Sequence, residues 1–220
     1  YESVHGEFPY LGKPCTIVRF AGCNLHCPYC DAPHGEGIEV EPQELYDKIA
    51  SYGNFQVLVT GGEPLIQPGI NAFLQKLSFD LNLDVIIETN GTIALDKSLP
   101  YVADAIVMDV KLFKESHVIE SNNLQYLQHP DTIKFVYSSE KELDLARNFL
   151  MFNEHKIDRL NPPMIVFSPV LPGEVFFDKI MEIMKTYPQW DVRLQCQIHK
   201  VLGLGRSEER RVGKECRSRW

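Results

Sequence analysis

No run of apolar residues in this chain approaches a membrane span. The longest, such as Val57 to Val59 and Met164 to Phe167, stop far short of the ~20 residues that a bilayer-crossing helix needs. The sequence also lacks a signal-peptide opening, an internal repeat, a low-complexity stretch and a linker to a second domain. Cations are outnumbered: 22 Lys and Arg face 30 Asp and Glu, a net charge of −8 that argues against a general nucleic-acid-binding surface. Cysteine is scarce and uneven, with six in all, three of them between positions 23 and 30. A disulfide framework would spread its cysteines, whereas this crowding reads as a metal site in a reducing compartment. These absences predict a soluble, cytoplasmic protein that uses neither membrane nor nucleic acid as a partner.

What is present has the makings of one globular domain. Hydrophobic residues make up 44% and charged residues 24%, enough apolar matter for a sizeable core. The chain opens on Tyr1, so its true start is expected to be missing. From Arg206 the text RSEERRVGKECRSRW has no apolar periodicity and resembles the translation of a sequencing-library adapter. The domain is therefore expected over residues 1–205, with 206–220 a non-native tail.

Short β-branched runs recur at Thr16–Phe20, Phe55–Val59, Val85–Glu88, Ala105–Val110, Thr132–Tyr137, Met164–Phe167 and Asp191–Leu194. Between several of them, Pro42–Ser51, Ile70–Leu77, Glu140–Phe152 and Phe177–Thr186 carry apolar residues at helical spacing. Near-continuous apolar strands alternating with helices predict an α/β fold, a parallel sheet covered by helices and closed or partly closed into a barrel. Chemistry in such folds gathers at the carboxyl ends of the strands. Gly22-Cys23-Asn24 follows the first of these strands, Thr60-Gly61-Gly62-Glu63-Pro64 the second and Glu88-Thr89-Asn90-Gly91 the third, while Asp109-Val110-Lys111 ends the fourth.

Cys23, Cys27 and Cys30 lie on one short loop. Thiolates suit iron-sulfur clusters and zinc alike, and a structural zinc would need a fourth ligand such as Cys15, His26 or His34. Three cysteines on a cubane leave one iron open to chelate a small molecule. The paired glycines at 61 and 62 let backbone approach a ligand, and the Glu63 carboxylate can accept from an ammonium, although a plain turn would use the same residues. Glu88 and Asn90 offer polar groups at the same end, or simply cap a turn. Asp109 and Lys111 share one face of a strand, as an ion pair or as ligand contacts.

The Cys-x-x-x-Cys-x-x-Cys spacing, with Tyr29 before the last cysteine and Gly-Gly-Glu-Pro downstream, resembles the radical S-adenosylmethionine (SAM) superfamily. That resemblance implies a partial (β/α) barrel, a 4Fe-4S cluster on Cys23, Cys27 and Cys30, and SAM on the fourth iron. It also implies SAM contacts from Tyr29, Asp31, Gly61, Gly62, Glu63, Glu88, Asn90, Asp109 and Lys111. The opening Glu2-Ser3-Val4-His5-Gly6-Glu7-Phe8, together with Arg19, Ile133-Lys134-Phe135-Val136, Phe167-Ser168-Pro169-Val170 and Gln197-x-His199-Lys200, resembles the 7-carboxy-7-deazaguanine synthase family.

That family likeness implies conversion of 6-carboxy-5,6,7,8-tetrahydropterin to 7-carboxy-7-deazaguanine with loss of ammonia, on the route to queuosine or archaeosine. An electron from the cluster cleaves SAM, and the resulting 5′-deoxyadenosyl radical takes hydrogen from the pterin and is later restored. His5, Gly6, Glu7, Arg19, Thr60 and His199 are the implied substrate residues, with Arg19 and His199 suited to the substrate carboxylate. A flavodoxin or ferredoxin as electron donor and a homodimer are also implied. The sequence departs from the family's Gln-Gly-Glu-Gly at His5 and Phe8. Ala32 stands where a hydroxyl residue often ligates Mg2+, so Asp31, backbone or water would have to serve. Glycyl-radical-activating enzymes share the cysteine spacing, Gly-Gly-Glu-Pro and an Asp-x-Lys, and are the alternative reading.

Overall fold

The structure, a computed structural model, describes residues 1–30, 37–112, 119–170, 175–197 and 216–218. Seven parallel strands form its centre, in spatial order β2 (Pro14–Phe20), β4 (Gln56–Gly61), β5 (Asp84–Thr89), β6 (Ala105–Lys111), β7 (Thr132–Tyr137), β8 (Met164–Pro169) and β9 (Val192–Leu194). Among the described residues β9 is one edge and the sheet does not return to β2, so the barrel they form is open. β1 (Glu2–Val4) pairs antiparallel with β2. Beyond β2 lie β10 (Cys216–Ser218) and then β3 (Ile38–Val40). Three residues of the expected tail thus add a strand, parallel to β3 and joined to β2 through Cys216.

Every strand expected from the apolar runs is present, within a few residues at its ends. β1, β3 and β10 were not anticipated, because three residues are too few to display an alternation. The helices α1 (Pro42–Tyr52), α2 (Ile70–Gln75, continued by a π-helical turn at Lys76–Asp80), α4 (Glu140–Asn153) and α5 (Phe177–Thr186) match expectation, while the four-residue α3 (Leu99–Val102) is too short to show a period. Local signals set their ends. Pro42 opens α1 and Gly53, at φ 69°, closes it. Ser139 Oγ accepts from Glu142 N at 3.3 Å, while Glu142 Oε2 accepts from Ser138 N at 2.5 Å, which caps α4 from both directions.

Alternation along the strands separates two faces. Val18, Phe20, Val57, Val59, Ile87, Met108, Phe135 and Phe167 meet the helices in the main core. The opposite, inner face holds a smaller cluster of Cys15, Leu58, Ile86, Ala105 and Val107, covered by Tyr10 and Ile17. One inward position further along, Leu58 gives way to Thr60, Ile86 to Glu88 and Val107 to Asp109. Register aligns these into a rim: Arg19 opposes Thr60, Asp109 opposes Lys134, and Val166, beyond Lys134, opposes Arg193.

Candidate active site

The rim faces the loop that carries the cysteines. β4 ends against this loop so closely that only glycine fits. A Cβ on Gly61 would stand 2.0 Å from Phe20 O, and one on Gly62 1.9 Å from Gly22 O and 2.9 Å from Cys23 Cβ. Gly62 N donates to Phe20 O at 3.0 Å and Glu63 N to Gly22 O at 2.9 Å. The cysteine loop's own backbone makes this close approach, which fixes the Gly-Gly turn beside the cysteines.

Glu63 lies just beyond this turn. Its carboxylate is fully buried and already satisfied: Oε1 accepts from Leu65 N at 3.0 Å and Thr89 Oγ1 at 2.8 Å, and Oε2 from Asn90 N at 2.6 Å. Burial raises its pKa, and these three bonds and Lys111 counter the rise only in part. The side chain that was assigned to an ammonium group ties the loop after β4 to the loop after β5.

The second loop then reaches the first. Asn90 Nδ2 donates to Asn24 Oδ1 at 2.9 Å and lies 3.8 Å from Cys23 Sγ, and Asn24 Nδ2 donates to Thr92 Oγ1 at 2.7 Å. Leu25 N also points at Cys23 Sγ, at 3.4 Å. Sequence reasoning gave Asn24 no role, although an amide inside a cysteine loop was a visible signal.

Burial pushes the Cys27 thiol up, while the Lys111 ammonium pulls it down and the Cys30 and Cys23 thiols add to the rise. The three sulfurs therefore share one electrostatic neighbourhood with the Lys111 cation, and two N–H donors face Cys23 Sγ. Among the described residues no three His, Cys, Asp or Glu side chains gather tightly enough to hold a single ion. Three thiols on one loop are the donor set that a four-iron cluster takes, with one iron left open. Cys15 lies at the far end of β2 in the inner apolar cluster, its thiol pushed up to about 12 by burial, and does not reach this loop.

The rim carries alternating charge. Lys111 Nζ donates to Asp109 Oδ2 at 2.6 Å, Lys134 Nζ meets Asp109 Oδ1 at 3.1 Å, and Lys134 also bonds the Glu7 carboxylate. Burial opposes ionisation of Asp109, but the Lys111 and Lys134 ammoniums outweigh it and hold the carboxyl below its usual range. Burial likewise opposes the charge on Lys134, and Asp109, Glu7 and Glu88 overcome it, holding its pKa well above the ordinary lysine value. For Glu88 burial wins: its pKa is raised despite Lys134, and Thr60 Oγ1 donates to Glu88 Oε2 at 2.6 Å. The sequence assigned Lys134 no role, yet a lone lysine in the apolar strand Ile133-Lys134-Phe135-Val136 was the signal.

Glu7, Thr60, Glu88, Asp109 and Lys111 thus converge on one face, and Arg19, whose Nη2 donates to Tyr1 Oη at 3.4 Å, neighbours Thr60 on it. Tyr29 is half-buried, its hydroxyl pKa raised by burial and by Asp109. His5 goes elsewhere. It packs at the opposite end of the barrel, ring centroid 5.7 Å from Tyr10, beside Lys13 and near Gln56 at the start of β4. Gly6 is the single residue between it and Glu7. Asp31, Ala32, His34 and His199 lie outside the described residues.

Three thiols on the first loop of an open β/α half-barrel, locked to a Gly-Gly turn, make the frame of a radical SAM enzyme. The Radical SAM superfamily profile matches residues 17–186. The 7-carboxy-7-deazaguanine synthase of Clostridium acetobutylicum is 38% identical over 211 residues, covering 92% of this chain and 93% of that protein. The Thermoplasma acidophilum enzyme of the same name is 31% identical, over 92% of this chain and 94% of its own length. The crystal structure of QueE from Escherichia coli shares the fold, with a TM-score of 0.66 over 89% of this chain and 91% of that one at 21% identity. The chain belongs to the 7-carboxy-7-deazaguanine synthase family of the radical SAM superfamily. The glycyl-radical-activase alternative is not favoured by these relatives, and Asp109-Val110-Lys111, which suggested it, forms part of the rim's charge chain.

Proposed function

We propose that this protein converts 6-carboxy-5,6,7,8-tetrahydropterin to 7-carboxy-7-deazaguanine, releasing ammonia, in 7-deazapurine biosynthesis. The observation that carries this reading is the polar rim on the inner face of the sheet: carboxylates, a guanidinium and ammoniums brought together at the end of the strands that carries the cysteine loop. Such a lining suits a small, carboxylated heterocycle.

Cys23, Cys27 and Cys30 would hold the cluster, with Asn90, Gly61, Gly62 and Lys111 around SAM. When bound, cluster and SAM supply hydrogen-atom abstraction chemistry, which no side chain of this protein provides. The chain's own residues bind and orient. Arg19 is suited to the substrate carboxylate through a paired, charge-assisted contact, and Glu7 and Thr60 to the pterin ring. The apolar floor of Leu58, Ile86, Ala105 and Val107 keeps water from beneath the rim, which strengthens each charge contact above it. Mg2+ beside the substrate, held by Asp31, backbone or water, belongs to the same proposal, as do His199, a flavodoxin or ferredoxin donor, a homodimer and a cytoplasmic setting. Among the described residues, no helix is long and apolar enough to cross a membrane.

The test is anaerobic reconstitution with iron and sulfide, then addition of reductant, SAM, Mg2+ and 6-carboxytetrahydropterin, with mass spectrometry for 7-carboxy-7-deazaguanine. Product in excess over SAM consumed is the expected outcome. Formation of 5′-deoxyadenosine without the deazapurine would overturn the substrate assignment.

A further inference from the structure

Glu7 stands on a connection between β1 and β2 that is neither helix nor strand, yet both of its carboxylate oxygens are held. Lys134 Nζ bonds Oε2, and Gln197 Nε2 donates to Oε1 at 2.7 Å. Phe8 N is fixed next to it by Gln195 Oε1 at 2.9 Å. Lys134 Nζ in turn forms an ion pair with Asp109 Oδ1 at 3.1 Å, and Asp109 Oδ2 accepts from Lys111. Four charges of alternating sign therefore run from Lys111, beside the Cys27 thiol, to Glu7.

Lys134 is 4% exposed. An ammonium so deeply buried is tolerated because carboxylates face it, but an aliphatic side chain, as at the facing Val166, would fill the space with no desolvation cost. Stability alone therefore does not account for a lysine here. A second observation points to a ligand. Gln197 Oε1 is buried and accepts no hydrogen bond among the described residues, although its amide nitrogen bonds Glu7. An unmet amide oxygen beside an anchored carboxylate offers two neighbouring acceptors, which suit a ligand edge that presents two N–H groups. The ring N–H and exocyclic amine of a 2-aminopyrimidinone form such an edge.

We propose that Lys134 is a positioning residue: it locks the Glu7 carboxylate to Asp109 and Lys111, so that Glu7 and Gln197 hold the aminopyrimidinone edge of the substrate at a set place relative to the cluster. The inference rests on the activity proposed above, and its test separates the two.

Lys134→Met, Lys134→Arg, Glu7→Gln and the Lys134→Met/Glu7→Gln double variant are compared with the parent as reconstituted holoenzymes. Amide exchange at Glu7 and Phe8 in Lys134→Met is expected to rise about tenfold or more, a readout that requires no turnover. KM for the pterin is expected to rise roughly 10- to 100-fold in Lys134→Met, with a smaller fall in kcat, an unchanged iron content and partial recovery in Lys134→Arg. Because Lys134 acts through Glu7, the double variant should lie within about twofold of Glu7→Gln alone. Additive losses in the double variant, or unchanged exchange at Glu7 and Phe8, would overturn the assignment. If the parent makes no deazapurine, the activity reading fails, while the exchange measurement still decides whether Lys134 anchors Glu7. Lys134→Gln carries the same test where Lys134→Met does not fold.

Discussion

The inner face of the half-barrel is two regions made from the same strands. Its floor is Cys15, Leu58, Ile86, Ala105 and Val107; its rim is Arg19, Thr60, Glu88, Asp109 and Lys134. A step of two residues along a strand moves from one to the other, and it exchanges apolar packing for charge. The floor resembles any buried sheet face, apolar side chain packed against apolar side chain. The rim instead carries charge, with Lys111, Asp109, Lys134 and Glu7 paired in alternation, and among the described residues the amide oxygen of Gln197 beside Glu7 is buried without a hydrogen-bond partner. The difference teaches that the sheet spends its lower layer on stability and reserves its upper layer for binding.

The comparison breaks most severely where the rim meets the cysteine loop. Gly62→Ala would drive a methyl to 1.9 Å from Gly22 O, backbone that has no rotamer to yield. Loss of ~2 kcal/mol or more is expected by urea denaturation, together with failure to retain iron and sulfide. Full cluster incorporation into a stable Gly62→Ala protein would mean that the two loops are not locked as described.

Within the inner face, the floor and rim are expected to respond oppositely. Leu58→Ala should lower stability by roughly 2–5 kcal/mol through the cavity it leaves, with KM for the pterin close to the parent value. Thr60→Val removes the hydroxyl that bonds Glu88 and should leave stability within about 1–2 kcal/mol while raising KM. Denaturation curves and steady-state kinetics on the two variants check this, and equal effects on both quantities would erase the distinction between layers.

The smallest effect concerns His5, which the barrel places below the floor. Burial lowers its pKa from 6.5 to about 4, with the Lys13 charge adding to the fall. The folded state therefore prefers the neutral ring. The stability this contributes is complete above pH 6.5 and is lost as pH falls from 6.5 towards 4. His5→Gln should flatten the Tm against pH profile in that window and leave KM nearly unchanged. A KM that rises as much as in Thr60→Val would return His5 to the substrate site.

Much of the site was legible as one-dimensional pattern. Cys23, Cys27 and Cys30 are close in sequence and cannot avoid sharing a loop, and strand-end motifs reach one end of a parallel sheet whatever its details. Glu63 was legible as a site residue but not in its role, because three donors from Leu65, Thr89 and Asn90 meet it only after β4 and β5 pair. Lys134 and Gln197 had no assigned role because their partner, Glu7, lies 127 and 190 residues away. His5, two residues from Glu7, packs instead beside Tyr10 and Lys13 near the start of β2, a placement that its closeness in sequence to Glu7 did not reveal.

The sequence by itself determined the class of fold, the crowding of three cysteines on one loop and the end of the sheet at which the strand-end motifs gather, since these follow from periodicity and short-range spacing. Only the tertiary structure decided which carboxylates are free to act. Ionisation and orientation inside a barrel depend on partners brought together by register. A charge such as Lys134 has meaning only beside the Asp109 and Glu7 that make its burial tolerable.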